Sequence, residues 1–360
     1  MKGSRHVQRL DGEGSISEFS VSSSRLNGAS ADEILAGATS DVYFARGLDI
    51  LRRLGREQTE VVAEVFCRQG GILCGMDEVI ELLRQAGAKV QVESLAEGDP
   101  FVAKEPLLRI SGPYAEFAIY ETAILGMLAS ASAWATTARA FRQAVPNGVP
   151  VIGFGARHLH PAVVGVFDRA TRVGGLDGVS SILGARLSGI EPSGTMPHAA
   201  LLIVGDTLRV AEVLTGNAPK GSRTVLVDTF HDEIEETLRI VRELGDQLDG
   251  VRLDTPAERG GVQPDLVREL KARLTQEGLA SISVMVSGGL SPERAVELAA
   301  AGADAFGVGH AISKAPPLDM TLDLKVVDGK PVAKRGRIPG LTATTRLQPR
   351  LLGVADLGQS

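Results

Sequence analysis

The residues best suited to chemistry fall in short polar strings, each at the end of an apolar run. "TVLVD" ends in Asp228-Thr229, "VRLD" carries Arg252 and ends in Asp254-Thr255, "SVMV" runs into Ser287-Gly288-Gly289, and "AFGV" runs into Gly309-His310. Upstream, "FGARHLHP" supplies Arg157, His158 and His160, and "GTMPHA" supplies Thr195 and His198. Two carboxylates at neighbouring strand ends can share a cavity, accept hydrogen bonds from sugar hydroxyls and stabilise a developing positive charge. Read alone, each serves equally well as the N-cap of the helix that follows. The glycines at 288 and 289, with Gly307 and Gly309, let backbone N–H groups approach a phosphate beside a helix N-terminus, or simply make tight turns. Arg157 offers a planar fork to a carboxylate or diphosphate, against the plainer reading of a structural or solvated arginine. His158 and His160 share one face of an extended segment, but three histidines without a cysteine cluster are a weak metal signal. His198 can act as a nucleophile or only hydrogen-bond its loop. Neither glycine string is a P-loop or a dinucleotide fingerprint, since no Lys-Ser/Thr follows it and no matching strand–turn–helix opens the chain.

Such residues act together only if a scaffold gathers strand ends. After Pro150 short apolar runs alternate with helical stripes, the rhythm of a parallel sheet or barrel. The strands expected are 151–154, 201–204, 224–227, 251–253, 281–286 and 305–308. One helical stripe is Ile234, Leu238, Val241 and Leu244, and another is Leu266, Leu270 and Leu274. A third helix has its own punctuation, with Ser291 as N-cap, Pro292 at the first helical position and Gly302 past the last turn. About six βα units suit a barrel better than an open doubly wound sheet.

The first third reads as α+β. Val42, Ala45, Leu48, Leu51 and Leu54 lie at helical spacing within 41–54; an extended segment and a helix ending at Gly87 follow, then short antiparallel strands over 89–112. From Met320 an Asp328-Gly329 turn between alternating segments predicts a β-hairpin that closes this first domain. Residues 1–30, with eight Ser, four Gly and one aromatic, are expected to be a disordered tail. The domains expected are thus an α/β sandwich from 31–130 plus 320–360 and an α/β barrel over 131–319.

Composition narrows the function classes. A net charge of -6 leaves no global basic field for nucleic acid or anionic lipid. Cys67 and Cys74 cannot form a four-ligand zinc site alone, and two cysteines in 360 residues point to a reducing, cytoplasmic setting. The uncharged stretch 122–138 is Ala/Ser/Thr-rich and shorter than the roughly 20 apolar residues of a membrane span, so it reads as a buried helix.

Taken in order, "TSDVYFARGLDIL", "ISGPYAEFAIYETAILG", "FGARHLHPA", "GGLDGVSS", "PSGTMPHAALL", "LVDTFHDE", "VRLDTP", "VSGGLSPERAVELAAAGADAFGVGHAI" and "GRIPG" resemble the nicotinate phosphoribosyltransferases of the type II phosphoribosyltransferase family. The resemblance spans about 39–340. It implies an irregular, TIM-like α/β barrel joined to an α/β sandwich, working as a homodimer or dimer-based oligomer. The implied reaction joins nicotinate to phosphoribosyl diphosphate, giving nicotinate mononucleotide and diphosphate in NAD biosynthesis, with Mg²⁺ accompanying the diphosphate, ATP as a co-substrate and no zinc. Asp228, Asp254 and His198 take the catalytic roles. Tyr43 of the neighbouring subunit stacks on the pyridine. Arg157, His158, His160, Asp177, Ser180, Thr195, Thr229 and Arg252 bind substrate, and Ser287, Gly288, Gly289, Gly307 and Gly309 hold the 5′-phosphate. Arg157-His158 stands where many relatives have paired arginines, which leaves the division of labour between nicotinate and diphosphate open. The alternatives weighed are a decarboxylating quinolinate phosphoribosyltransferase, a catalytically silent nucleotide-binding paralogue, and a barrel isomerase sharing only the phosphate site.

Overall fold

The computed structural model describes residues 8–21 and 25–352, and the chain divides into two compact units, residues 1–133 with 316–360 and residues 134–315. In chain order the elements are α1 (Glu13–Glu18), α2 (Ala31–Leu35), α3 (Val42–Arg53), β1 (Glu60–Cys67), β2 (Gly71–Ile72), α4 (Met76–Gln85), β3 (Gln91–Ser94), β4 (Pro100–Phe101), β5 (Pro106–Pro113) and α5 (Glu121–Ala144). Then come β6 (Val151–Gly153), α6 (Val164–Val173), β7 (Gly178–Val179), α7 (Ile182–Leu187), α8 (His198–Val204), α9 (Thr207–Asn217), β8 (Thr224–Leu226) and α10 (Glu233–Leu244). The chain continues through β9 (Gly250–Leu253), α11 (Pro264–Gln276), β10 (Ser283–Val286), α12 (Pro292–Ala300), β11 (Ala305–Val308), α13 (His310–Ser313), β12 (Met320–Val327), β13 (Lys330–Pro331) and β14 (Gln348–Arg350).

The first unit is built on a six-stranded antiparallel sheet in the order β13-β12-β1-β5-β3-β14. Alternation on β1 turns Val61, Ala63 and Val65 inward. The expected hairpin is present: Asp328 and Gly329 both have positive φ, as a tight primed turn requires, and β12 pairs along β1. Helix α4 starts from Gly75 at φ +93, where a Cβ would stand 2.8 Å from the Met127 carbonyl oxygen. A side chain from elsewhere supplies its cap, since the Glu97 carboxylate accepts the N–H groups of Gly75, Met76 and Asp77. On one face of the sheet the buried Glu64 accepts from Nε and Nη2 of Arg109 at 3.1 and 2.8 Å and from the Thr342 N–H at 3.2 Å.

Part of the expected tail is structured. Residues 8–21 contain α1, the Arg9 guanidinium donates to Tyr120 Oη and the Glu116 carbonyl, and the Leu10 N–H donates to Ala36. Composition missed this because the anchors are polar and long-range, not a local apolar pattern. Residues 1–7 and 22–24 of that expectation lie outside the described residues.

The second unit has the expected α/β class. Its six strands are all parallel, in the order β7-β6-β11-β10-β9-β8. Among the described residues, strand pairing runs from β7 to β8, an order compatible with the TIM-like barrel expected. Strands buried on both faces read as continuous apolar runs, as Val225, Leu226 and Val227 do here. The Ser291 hydroxyl accepts the Arg294 N–H at the start of α12, Pro292 follows, and Gly302 lies past its end with φ +102.

Three sequence expectations need correction. Residues 201–204 form the end of α8, not a strand: Pro197 sits at its N-cap, Gly205 stops it at φ +81, and Leu202 and Ile203 face outward. The α10 stripe is also rotated from the expected one. Ile240, Val241 and Leu244 are buried, and so are the carboxyl-bearing Glu233 and Glu236, which hydrogen-bond inside the unit. On α11, Val267 takes the buried place expected for Leu266.

Candidate functional site

Parallel strands deliver their carboxyl ends to one edge, and the loops there enclose a cavity of about 770 Å³ within the second unit. Arg157 from the β6 exit, Asp228 and Thr229 from β8, Asp254 from β9, and Gly288 and Gly289 from β10 line it, with His198 from the start of α8. Seven of the expected site residues therefore meet in one place.

A polar network fixes one side. The Arg252 guanidinium donates from Nε to Ser287 Oγ at 2.8 Å and from Nη1 to Thr195 Oγ1 at 2.9 Å, and Nη2 lies 3.2 Å from Asp254 Oδ2. Ser287 Oγ in turn donates to Asp254 Oδ1 at 2.7 Å. Arg252 also lies over the Phe154 ring, 5.0 Å from its centroid. Both oxygens of Asp254 are thereby oriented before any ligand arrives. Gly288, at φ +94, needs its missing side chain because a Cβ would sit 3.1 Å from that carboxylate.

Asp228 is held differently. Its side chain is 2% exposed, against 38% for His198, whose Nε2 lies 3.3 and 3.2 Å from the two carboxylate oxygens. Burial pushes the Asp228 carboxyl above the usual carboxylate range; the His198 contact opposes that shift, and the charge of Asp254 adds to it. The buried Thr229 Oγ1 on the same wall has no hydrogen-bond partner among the described residues. Arg157 lines the cavity, and no described residue pairs with its guanidinium.

The remaining expected residues are placed elsewhere. Gly307 and Gly309 do not line the cavity, and close packing accounts for them: a Cβ on Gly307 would lie 2.5 Å from the Phe154 ring, and one on Gly309 2.6 Å from the Phe154 carbonyl oxygen. His158 packs edge-on against His310, ring centroids 5.2 Å apart, and burial, Arg157 and His310 lower its pKa. His160 Nδ1 accepts the Ala162 N–H and so caps the turn Pro161–Val163. Asp177 is corrected from a substrate ligand to a structural residue. Its carboxylate accepts from Arg142 and from the Val151 N–H at the start of β6, the end of the strand away from the cavity. Ser180 follows β7, and its N–H donates to Gly153. Tyr43 belongs to the first unit, on α3, 60% exposed, with its ring 4.4 Å from that of Phe44. Among the described residues no three His, Cys, Asp or Glu side chains cluster as a metal site, and no helix is long and apolar enough to cross a membrane.

Sequence reasoning missed part of the wall. Gly260 and Gly261, at φ +88 and +67, belong to the β9–α11 loop, and Arg294 braces that loop through the Val262 carbonyl and Gln263. The Gly-Gly pair after "VRLD" was the available signal.

Comparison with known proteins gives the family. The quinolinate phosphoribosyl transferase N-terminal domain family matches residues 41–132, and the C-terminal domain family matches residues 134–323. The nicotinate phosphoribosyltransferase pncB2 of Mycobacterium tuberculosis is 30% identical over 263 residues, covering 70% of this chain and 55% of that protein. The chain thus spans little more than half the length of that curated relative. A probable nicotinate-nucleotide pyrophosphorylase (carboxylating) of Methanothermobacter thermautotrophicus is 24% identical over 271 residues, 74% of this chain and 89% of that one. The structure titled nicotinate-nucleotide pyrophosphorylase from Pyrococcus furiosus superposes with a TM-score of 0.83 at 42% identity, over 88% of this chain and 82% of that one.

Proposed function

Because this chain belongs to the quinolinate phosphoribosyl transferase family, the type II phosphoribosyltransferases, we propose that it transfers the phosphoribosyl group of phosphoribosyl diphosphate to nicotinate. The observation that carries the choice of acid is the guanidinium of Arg157, the one uncommitted guanidinium among the described residues that line the cavity. Arg252 is engaged by Asp254, Ser287 and Thr195, and Arg294 by Glu297, Gln263 and Val262. One free cation matches one ring carboxylate.

The chemistry asks little of the protein beyond placement. The pyridine nitrogen forms a bond to C1 of the ribose as the bond from C1 to the diphosphate oxygen breaks, and no proton moves. Arg157 orients the carboxylate, and Asp254 and Asp228 face the positive charge that grows on the ribose. The backbone of residues 287–289, leading into the N-terminus of α12, receives the 5′-phosphate. Mg²⁺, when bound, would neutralise the departing diphosphate; with two cavity carboxylates and, among the described residues, no three-ligand cluster, the residues fit a cation that would be held mainly by substrate oxygens. Tyr43 remains the proposed stacking residue, contributed by a second copy of the chain.

His198 has in Asp228 the orienting carboxylate that a nucleophilic imidazole uses. ATP coupling through a phosphohistidine is proposed on that basis. It requires an acid-labile, base-stable phosphate on the wild-type chain that is absent from His198→Ala.

A second reading, decarboxylating transfer to quinolinate, is supported by the name of the Pyrococcus furiosus structure. Incubation with phosphoribosyl diphosphate, Mg²⁺ and either nicotinate, nicotinamide or quinolinate distinguishes the two. Mononucleotide from nicotinate without CO₂ release supports the first reading; mononucleotide and CO₂ from quinolinate alone overturns it.

A further inference from the structure

We propose that Glu233 is a positioning residue that ties the β9 exit loop to the first turn of α10 and so sets the separation of the Asp228 and Asp254 carboxylates. The proposal rests on the functional reading above for what those carboxylates do, and on geometry alone for the tie.

Glu233 is 3% exposed, and burying a carboxylate is costly unless its oxygens find partners. Oε1 accepts from Thr255 Oγ1 at 2.7 Å, and Oε2 lies 3.9 Å from the exposed Arg259 guanidinium. The first turn of α10, capped by Asp232, favours an anion through its free N–H groups. Thr255 is itself 6% exposed, follows Asp254 directly and lines the cavity. Glu233 stands five positions after Asp228, at the far end of the loop that leaves β8. The bond therefore joins the two loops that carry the two carboxylates.

The contacts already described hold Asp254 from the other side. Ser287 and Arg252 fix it to β10 and β9, and neither reaches α10. Glu233 supplies the link toward β8. Asp254 contributes to the raised titration of Asp228, so loosening that link changes how Asp228 binds its proton as well as where the two carboxylates stand.

The test compares Glu233→Ala, Glu233→Gln and Thr255→Val with the wild-type chain, using two readouts. In turnover with whichever pyridine acid the wild type uses, Glu233→Ala lowers kcat by roughly 10- to 100-fold, the scale of a misplaced catalytic group, with KM little changed. Glu233→Gln keeps an acceptor for the Thr255 hydroxyl and restores most of that loss. The double variant Glu233→Ala/Thr255→Val is no slower than the slower single one. The second readout is a ¹³C-carboxyl NMR titration with labelled aspartate, Asp228 being assigned from Asp228→Asn. The Asp228 midpoint moves down in Glu233→Ala by the part of its rise that Asp254 contributes, burial still holding it above the ordinary carboxylate range, and stays in place in Glu233→Gln. An unmoved midpoint in Glu233→Ala, or Gln behaving like Ala in both readouts, overturns the tie. A wild-type chain inert with every pyridine acid sinks the functional reading while the titration still decides the role of Glu233. If Glu233→Ala does not fold, Thr255→Val and Glu233→Gln give the same comparison from the two ends of the bond.

Discussion

Glu64 in the first unit and Asp228 in the second are equally withdrawn from water, with side chains 2% exposed, yet they are held in opposite ways. Glu64 is saturated: two guanidinium nitrogens of Arg109 and the Thr342 N–H all donate to it. Asp228 has its own backbone amide and one imidazole at 3.2 to 3.3 Å, opens onto a cavity, and titrates high. A buried charge whose hydrogen-bonding capacity is used up builds the fold. One left undersupplied at a strand end is available to a ligand.

The contrast breaks most sharply under substitution. Asp254→Asn keeps the shape of the cavity but removes a preorganised charge, and kcat falls by roughly 10²-fold or more; steady-state kinetics showing a change in KM alone would assign Asp254 to uniform binding. Gly288→Val forces a side chain onto a backbone at φ +94, against Asp254. The apparent KM for phosphoribosyl diphosphate rises by about tenfold or more, with a lower Tm from the strained backbone, and unchanged kinetics in a folded variant would remove this loop from the site. Glu64→Ala has the opposite signature. It costs about 1–3 kcal/mol of stability by removing the acceptor of the Thr342 N–H and the buried partner of Arg109, which keeps only Glu93 and the Thr342 carbonyl, visible as a lower denaturant midpoint, while kcat of the folded protein holds.

The smallest effect belongs to Glu121, at the start of α5 in the first unit, whose pKa burial, with help from Asp323, pushes up to about 7. The folded state keeps that proton while the unfolded chain releases it. Stability therefore falls as pH rises from the ordinary glutamate range to about 7, and is level above. Glu121→Gln removes this slope and gains about 1 kcal/mol at pH 8, discounted for the water that reaches the site, or roughly 2–4 °C in Tm. An unchanged slope would show that another group titrates there.

Local chemistry made much of this legible in the sequence. Ser291-Pro292 and Gly302 mark both ends of α12, and Asp328-Gly329 marks a turn, because caps and positive φ act over a few residues. Strand ends rich in Asp and Gly located the cavity wall for the same reason. The misreadings share a cause at longer range. Four apolar residues at 201–204 fit either a strand or a helix, and only the exposure of Leu202 and Ile203 decides. Asp177 sits in a polar string like the others, but its partners Arg142 and Val151 lie 35 and 26 positions away. Glu233 looks like one more acid at a helix start until Thr255, 22 positions on, is seen to fill its carboxylate.

The antiparallel sheet of the first unit carries a consequence for the order in which the chain can fold. Strand β1 needs β12 as a neighbour, with Val61 opposite Val327 and Cys67 opposite Met320. Some 250 residues separate the two, and on a ribosome the whole 134–315 unit is made between them. During that interval β1, with Val61, Ala63, Val65 and Cys67 all destined for burial, has one edge without a partner. Translation pauses or truncations before residue 320 therefore leave an apolar strand edge open to pairing with other chains, and the last strands to emerge act as the seal against aggregation.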